Sequence, residues 1–177
     1  MRAFLLLISH GVMLVVGFGL GVYFLPILTA PEGPGEAALS ASAESAMFSA
    51  DLTRDLKGSD RLHWGEGSIS LTPTQIVHMG KLAPGPDYMV YLVADFVEDE
   101  DGFNAVKAAS LNVGSVKTFD GFILDLPAGV DLEAYTTVLV WCEAFGGFIT
   151  AAKYRLRSQV KILFIYFLAS GPLAPLP

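Results

Sequence analysis

The chain is poor in cysteine and in positive charge. Cys142 is the single cysteine among 177 residues, which excludes an internal disulfide framework and a cysteine-rich zinc site. Only 11 Lys and Arg stand against 18 Asp and Glu, for a net charge of -7. An acidic surface repels phosphate backbones, and no basic stripe with interleaved aromatic residues occurs. We therefore expect no nucleic-acid partner.

The sequence signatures of common enzyme classes are also missing. There is no CxxCH haem-attachment motif, HExxH, P-loop, GxSxG, or GxGxxG after a strand. The sequence therefore assigns no enzymatic activity and names no cofactor. His63, His78 and Cys142 are residue types that bind copper or haem iron, but no ligand spacing relates them. No metal site is predicted, and a metal-binding module is a minor alternative.

Residues 3–28 contain no Asp, Glu, Lys or Arg. This stretch exceeds the roughly 20 apolar residues that a helix needs to cross a bilayer, so residues 1–30 are predicted as a transmembrane anchor. Arg2 before it favours a cytoplasmic N-terminus, with the remaining chain in the periplasm or outside the cell. A cleaved signal sequence is the alternative, although its apolar region is usually about 7–15 residues. Gly17 and Gly21 form a GxxxG pair, which raises a homodimer as a further alternative.

Residues 31–46 contain almost exclusively Pro, Gly, Ala, Ser and Glu. Such a composition buries too little apolar surface to offset the entropy lost on ordering, so this segment is predicted as a flexible linker. At the other end, residues 158–177 form a tail of undefined role. Its apolar stretch, residues 162–169, is too short to span a membrane.

Short apolar or alternating runs separated by turn residues occupy residues 47–157. Val, Tyr, Phe and Thr are frequent in them, and no long helical period is present, which predicts an all-β antiparallel sandwich or a barrel-like domain. A short helical turn is expected at residues 131–134, and the acidic run at residues 98–101 is expected to be a solvated loop. The predicted strands are residues 68–71, 75–79, 88–96, 107–111, 121–126, 136–143 and 148–154.

Cys142 lies in a strand that is apolar on both faces. Val140 shares its face, whereas Trp141 points to the other face because side chains alternate along a strand. A buried free cysteine often acts as a small hydrophobic residue. An exported thiol, however, tends to be oxidised or captured unless it is buried or used. The neighbouring Glu143 should raise the thiol pKa, so both interpretations stay open.

Several motifs, taken in order, resemble the DM13 domain, the "electron transfer DM13" family. The resemblance covers residues 48–154 and implies a β-rich extracytoplasmic domain in which Cys142 is the proposed redox thiol. His63 and Trp141 are its candidate neighbours. The tail after residue 157 departs from the family pattern. The motifs are His63-x-x-x-Gly67, Gly85-Pro86-Asp87-Tyr88, Leu111-Asn112-Val113-Gly114, and Trp141-Cys142-x-x-Phe145.

The resemblance also bears on partners. DM13 domains often occur in larger proteins beside cytochrome-like DOMON domains, and none is recognised in this sequence. The expected electron partner is therefore a separate protein. The alternative is a non-catalytic β-sandwich that binds a protein or small ligand at the cell surface, with Cys142 as part of the core.

Overall fold

The structure is a computed structural model that describes residues 1–156. Two four-stranded antiparallel sheets form a sandwich, which confirms the predicted all-β fold. The first sheet has the order β1-β2-β3-β6 and the second β5-β4-β7-β8. The strands are β1 Phe48–Leu52, β2 Gly65–Leu71, β3 Gln75–Leu82, β4 Tyr88–Val93, β5 Leu111–Val116, β6 Phe122–Asp125, β7 Thr137–Cys142 and β8 Gly147–Lys153.

Two apolar clusters flank the second sheet. The larger lies between the sheets and includes Ile69, Ile76 and Val140. The smaller lies on the outer face, where Phe103 packs against Trp141. Strand β7 is buried at every position because both faces of its sheet are covered. The apolar run 137–142 therefore has the composition expected of a strand with two buried faces.

A helix, α3 (Glu100–Val106), covers that outer face, and its first two residues belong to the run 98–101 that was predicted as a solvated loop. Asp99 caps it by accepting a hydrogen bond from the Gly102 N–H at 2.8 Å. Acidic residues in its first turn suit the positive end of the helix dipole, and Phe103 supplies a buried anchor. The strand predicted at residues 107–111 was also wrong. A 3₁₀ turn, Lys107–Ala109, precedes β5 there.

The segment predicted as a flexible linker is ordered in its second half. Residues Glu36–Ala43 form helix α2, which packs on β3 and β6. Leu39 is the buried contact, and its Cδ1 lies close to Gly121. Composition suggested disorder because the segment has one large apolar side chain. That side chain, Leu39, packs on the sandwich, and composition alone does not predict this contact.

Helix α1 (Arg2–Thr29) leads into this segment. Its 28 residues extend about 42 Å at 1.5 Å per residue. Among the residues that the structure describes, it alone is long and apolar enough to cross a membrane, and none of its most apolar window is buried. The predicted tail, residues 158–177, lies outside the described residues.

Candidate functional site

Cys142 ends strand β7, which is central in its sheet between β4 and β8. Its side chain belongs to the cluster between the two sheets and is 3% exposed. The thiol Sγ donates a hydrogen bond to the Pro86 carbonyl oxygen at 3.0 Å. The cysteine is thus buried, and its polar atom has a partner.

That partner belongs to the turn that precedes β4. Tyr88 pairs with Cys142 across the sheet, and the Glu143 N–H donates to the Asp87 carbonyl at 3.0 Å. Glycine is favoured at position 85 because a Cβ there would lie 2.4 Å from the Tyr88 hydroxyl. The Gly-Pro-Asp-Tyr and Trp-Cys motifs, distant in sequence, therefore form one unit around the thiol.

A cavity of about 190 Å³ opens beside Cys142. Its lining from the sandwich includes His63, Ile149 and two exposed apolar side chains, Leu62 and Phe145. Gly146 has a φ of +63°, which glycine adopts without strain, and it closes the β7–β8 turn that presents Phe145. The thiol is shielded from bulk water but lies against a space with a histidine on its wall.

His63 is held in place by Asp60. Its Nδ1 lies 3.0 Å from both carboxylate oxygens, and Asp60 also accepts the backbone N–H of His63 at 2.8 Å. The hydrogen bond to His63 lowers the pKa of Asp60 below its usual value. The opposite ring nitrogen, Nε2, lies near Gly147, which is the register partner of Cys142. The arrangement resembles the oriented histidine of many acid–base sites.

The electrostatic setting keeps the thiol neutral. Burial raises the pKa of Cys142, and the negative charges of Asp87 and Glu143 raise it further. Backbone N–H groups of Ala144 and Phe145 offset part of this effect. The direction agrees with the prediction made from Glu143, although burial is the larger cause. A thiol of this kind is a poor nucleophile at neutral pH until a base removes its proton.

The family model described as electron transfer DM13 matches residues 56–154 of the chain. The chain belongs to the DM13 family. The match covers more than half of the sequence and confirms the resemblance drawn from the motifs. Comparisons with curated proteins and with solved structures give no match. The family description supports a redox role for the domain in general terms. The cysteine of this DM13 domain, Cys142, is buried.

Trp141 of the DM13 domain lies on the face opposite Cys142. It packs against Phe103 with ring centroids 4.9 Å apart, and the Lys107 ammonium sits 5.2 Å from its ring. Lys107 also donates to the Glu143 carboxylate at 2.6 Å, and the Tyr91 hydroxyl donates to the same carboxylate. Trp141 therefore does not line the cavity. It packs on the outer face of the second sheet, on the side away from the cavity.

His78 of the DM13 domain is likewise separate from the thiol. Its ring is fully buried in the first sheet, 5.2 Å from the Phe122 ring, and its Nε2 lies 3.1 Å from the Glu66 carbonyl. Desolvation lowers its pKa. No group of three or more potential metal ligands comes together within residues 1–156. The set of His63, His78 and Cys142 is not assembled at one place.

The sequence analysis named Cys142 and His63 as candidates, and the structure brings both to one cavity, but it did not name Asp60 or the Pro86 carbonyl that contact them. Asp60 precedes His63 by three residues, a spacing that allows a side chain to accept backbone N–H groups within a turn. The spacing of Asp60 and His63 could therefore have indicated this contact from the sequence. The Pro86 contact could not be predicted, because it depends on the pairing of β4 with β7.

Proposed function

We propose that this protein is a membrane-anchored, extracytoplasmic DM13 redox module whose active group is the Cys142 thiol. The observation that carries the proposal is the shared cavity: Cys142 and the Asp60-oriented His63 line the same space. His63 supplies the base that a thiol of raised pKa requires.

The proposed step is thiol–disulfide exchange with a separate protein. Cys142 gives its proton to His63, and its sulfur bonds to one sulfur of the partner's disulfide. The partner's S–S bond breaks, and the released thiolate takes up the proton. The chain has no second cysteine, so a thiol of the partner must resolve the mixed disulfide. With hydrogen peroxide as oxidant, the sulfur would instead take one peroxide oxygen as the O–O bond breaks, which forms a sulfenic acid and releases water.

The full-length protein, purified in detergent, tests this function. Glutathione disulfide serves as the probe, and mass spectrometry follows the mixed disulfide at Cys142. We expect His63→Gln to slow formation at neutral pH by about 100-fold, the lower end of general-base effects. Arg61→Gln is the matched control, because Arg61 is an exposed residue of the same loop and does not line the cavity.

Burial of Cys142 favours a second function, a non-catalytic sandwich in which the thiol only packs. In that case the folded chain resists alkylation and exchange at every pH at which it stays folded. His63→Gln then matches Arg61→Gln, and the only effect of Cys142→Ser is a loss of stability. That set of results would refute the redox function.

The anchor is a proposal of its own. The apolar length of α1 and Arg2 at its start support a membrane-spanning helix with a cytoplasmic N-terminus. Cells that produce Lys153→Cys in a Cys142→Ser background provide the test, because Lys153 is exposed on the sandwich. A membrane-impermeant maleimide should label them intact. Labelling only after lysis would contradict the topology, and a shortened mass would indicate signal cleavage.

A further inference from the structure

The mouth of the Cys142 cavity carries two large apolar side chains that face solvent. Leu62 is 55% exposed and Phe145 is 66% exposed, and both line the cavity. They come from different loops, one before β2 and one between β7 and β8. Apolar side chains grouped at one edge of a domain often mark a contact surface.

Helix α1 reaches the same cavity. Gly19, Val22 and Tyr23 line it together with the two loops. The distance along the helix from Arg2 to Tyr23 is about 30 Å at 1.5 Å per residue, close to the thickness of a hydrocarbon core. A tyrosine at that height matches the aromatic belt of the membrane interface. The cavity therefore lies where α1 would leave the membrane.

The segment that connects α1 to the sandwich packs against the sandwich. At Gly33 a Cβ would lie 3.4 Å from the Asp120 carbonyl, and residues 32–34 line a groove along β5 and β6. Leu39 of α2 is then buried on the sandwich. The domain is consequently held beside the end of α1 rather than suspended on a loose tether.

We propose that Leu62 and Phe145 insert into the outer interface of the membrane that holds α1, so that the Cys142 cavity opens at the level of the lipid headgroups. The inference rests on the proposed anchor and is independent of the redox step. The net charge of -7 opposes attraction to anionic lipids. Insertion therefore depends on the two apolar side chains and on the anchor, which keeps them close to the bilayer. Any reactant would reach the thiol from the membrane interface.

Nitroxide depth measurements on the full chain in phosphatidylcholine vesicles test the docking. Because the chain has one cysteine, a Cys142→Ser background allows single labels at Phe145→Cys, Val15→Cys and Lys153→Cys. Val15 lies in the middle of α1 and reports on the anchor. Lys153 is exposed at the far end of β8, about 20 Å from Gly147 at the usual strand rise, and is the matched water-facing control.

The ratio of collisions with oxygen to collisions with an aqueous nickel chelate measures depth. We expect it to be severalfold higher at position 145 than at position 153, and highest at position 15. A ratio at 145 equal to that at 153, with 15 in lipid, overturns the docking and leaves the anchor intact. A water-accessible label at 15 overturns the anchor itself. Shielding of 145 from both reagents would indicate a protein cover, such as a second copy of this chain, and would also overturn it.

Discussion

Replacing Gly85 by alanine tests the turn that meets Cys142. The new Cβ would lie 2.4 Å from the Tyr88 hydroxyl oxygen and 2.9 Å from its Cζ. The first distance is about 1 Å shorter than the ~3.5 Å at which nonbonded atoms pack. Tyr88 is 2% exposed and donates a hydrogen bond to the Ala83 carbonyl at 2.8 Å, so its ring has little room to move.

Two costs add up. Overpacking of a well-packed site costs about 1–3 kcal/mol, and loss of the Tyr88–Ala83 hydrogen bond costs about 1 kcal/mol more. We therefore expect Gly85→Ala to lower the free energy of unfolding by about 2–4 kcal/mol in urea titrations. If the turn moves instead of the ring, the Pro86 carbonyl leaves the Cys142 thiol, and alkylation of Cys142 becomes faster.

Gly35→Ala is the matched control, because a Cβ added at Gly35 would have no neighbouring atom within 4 Å. In a Tyr88→Phe background the oxygen nearest to the new methyl is gone, so Gly85→Ala should cost less there. The reasoning fails if Gly85→Ala is as stable as Gly35→Ala and leaves the alkylation rate of Cys142 unchanged.

Three further predictions concern the rest of the sandwich. The free energy of unfolding should fall as pH rises above about 9, because the raised pKa keeps the Cys142 thiol protonated in the folded chain while it ionises in the unfolded one. In urea titrations at increasing pH, Cys142→Ser should remove the part of this loss that begins near pH 9, and an unchanged pH dependence would show that Cys142 does not cause it. Phe103→Ala should cost about 3–5 kcal/mol, because the ring is fully buried against two aromatic neighbours, and a loss below about 1 kcal/mol would mean that α3 does not support the sheet. Leu39→Ala should lower the free energy of unfolding by about 2–3 kcal/mol, whereas Ser40→Ala should change it little because Ser40 is exposed. Equal stability of the two variants would favour a flexible linker in this segment.

Six of the eight strands could be located from the sequence because they have strong local signals. Residues 75–79 and 148–154, for example, are apolar runs bounded by proline or glycine turns, and both became strands with slightly different ends. Strand β1 was missed because residues 48–52 are short, partly polar and half exposed. Helix α3 was missed because a single buried residue, Phe103, anchors seven residues that otherwise resemble an acidic loop.

The sequence by itself determined the long apolar segment at the start, the β-rich domain, the family and the unpaired thiol. It also determined that Trp141 and Cys142 face opposite sides, because alternation along a strand is a local property. Only the tertiary structure decided what surrounds the thiol. The turn at residues 85–88, the His63 loop and the end of α1 meet Cys142 through strand pairing and packing between distant segments, and no local pattern encodes such contacts.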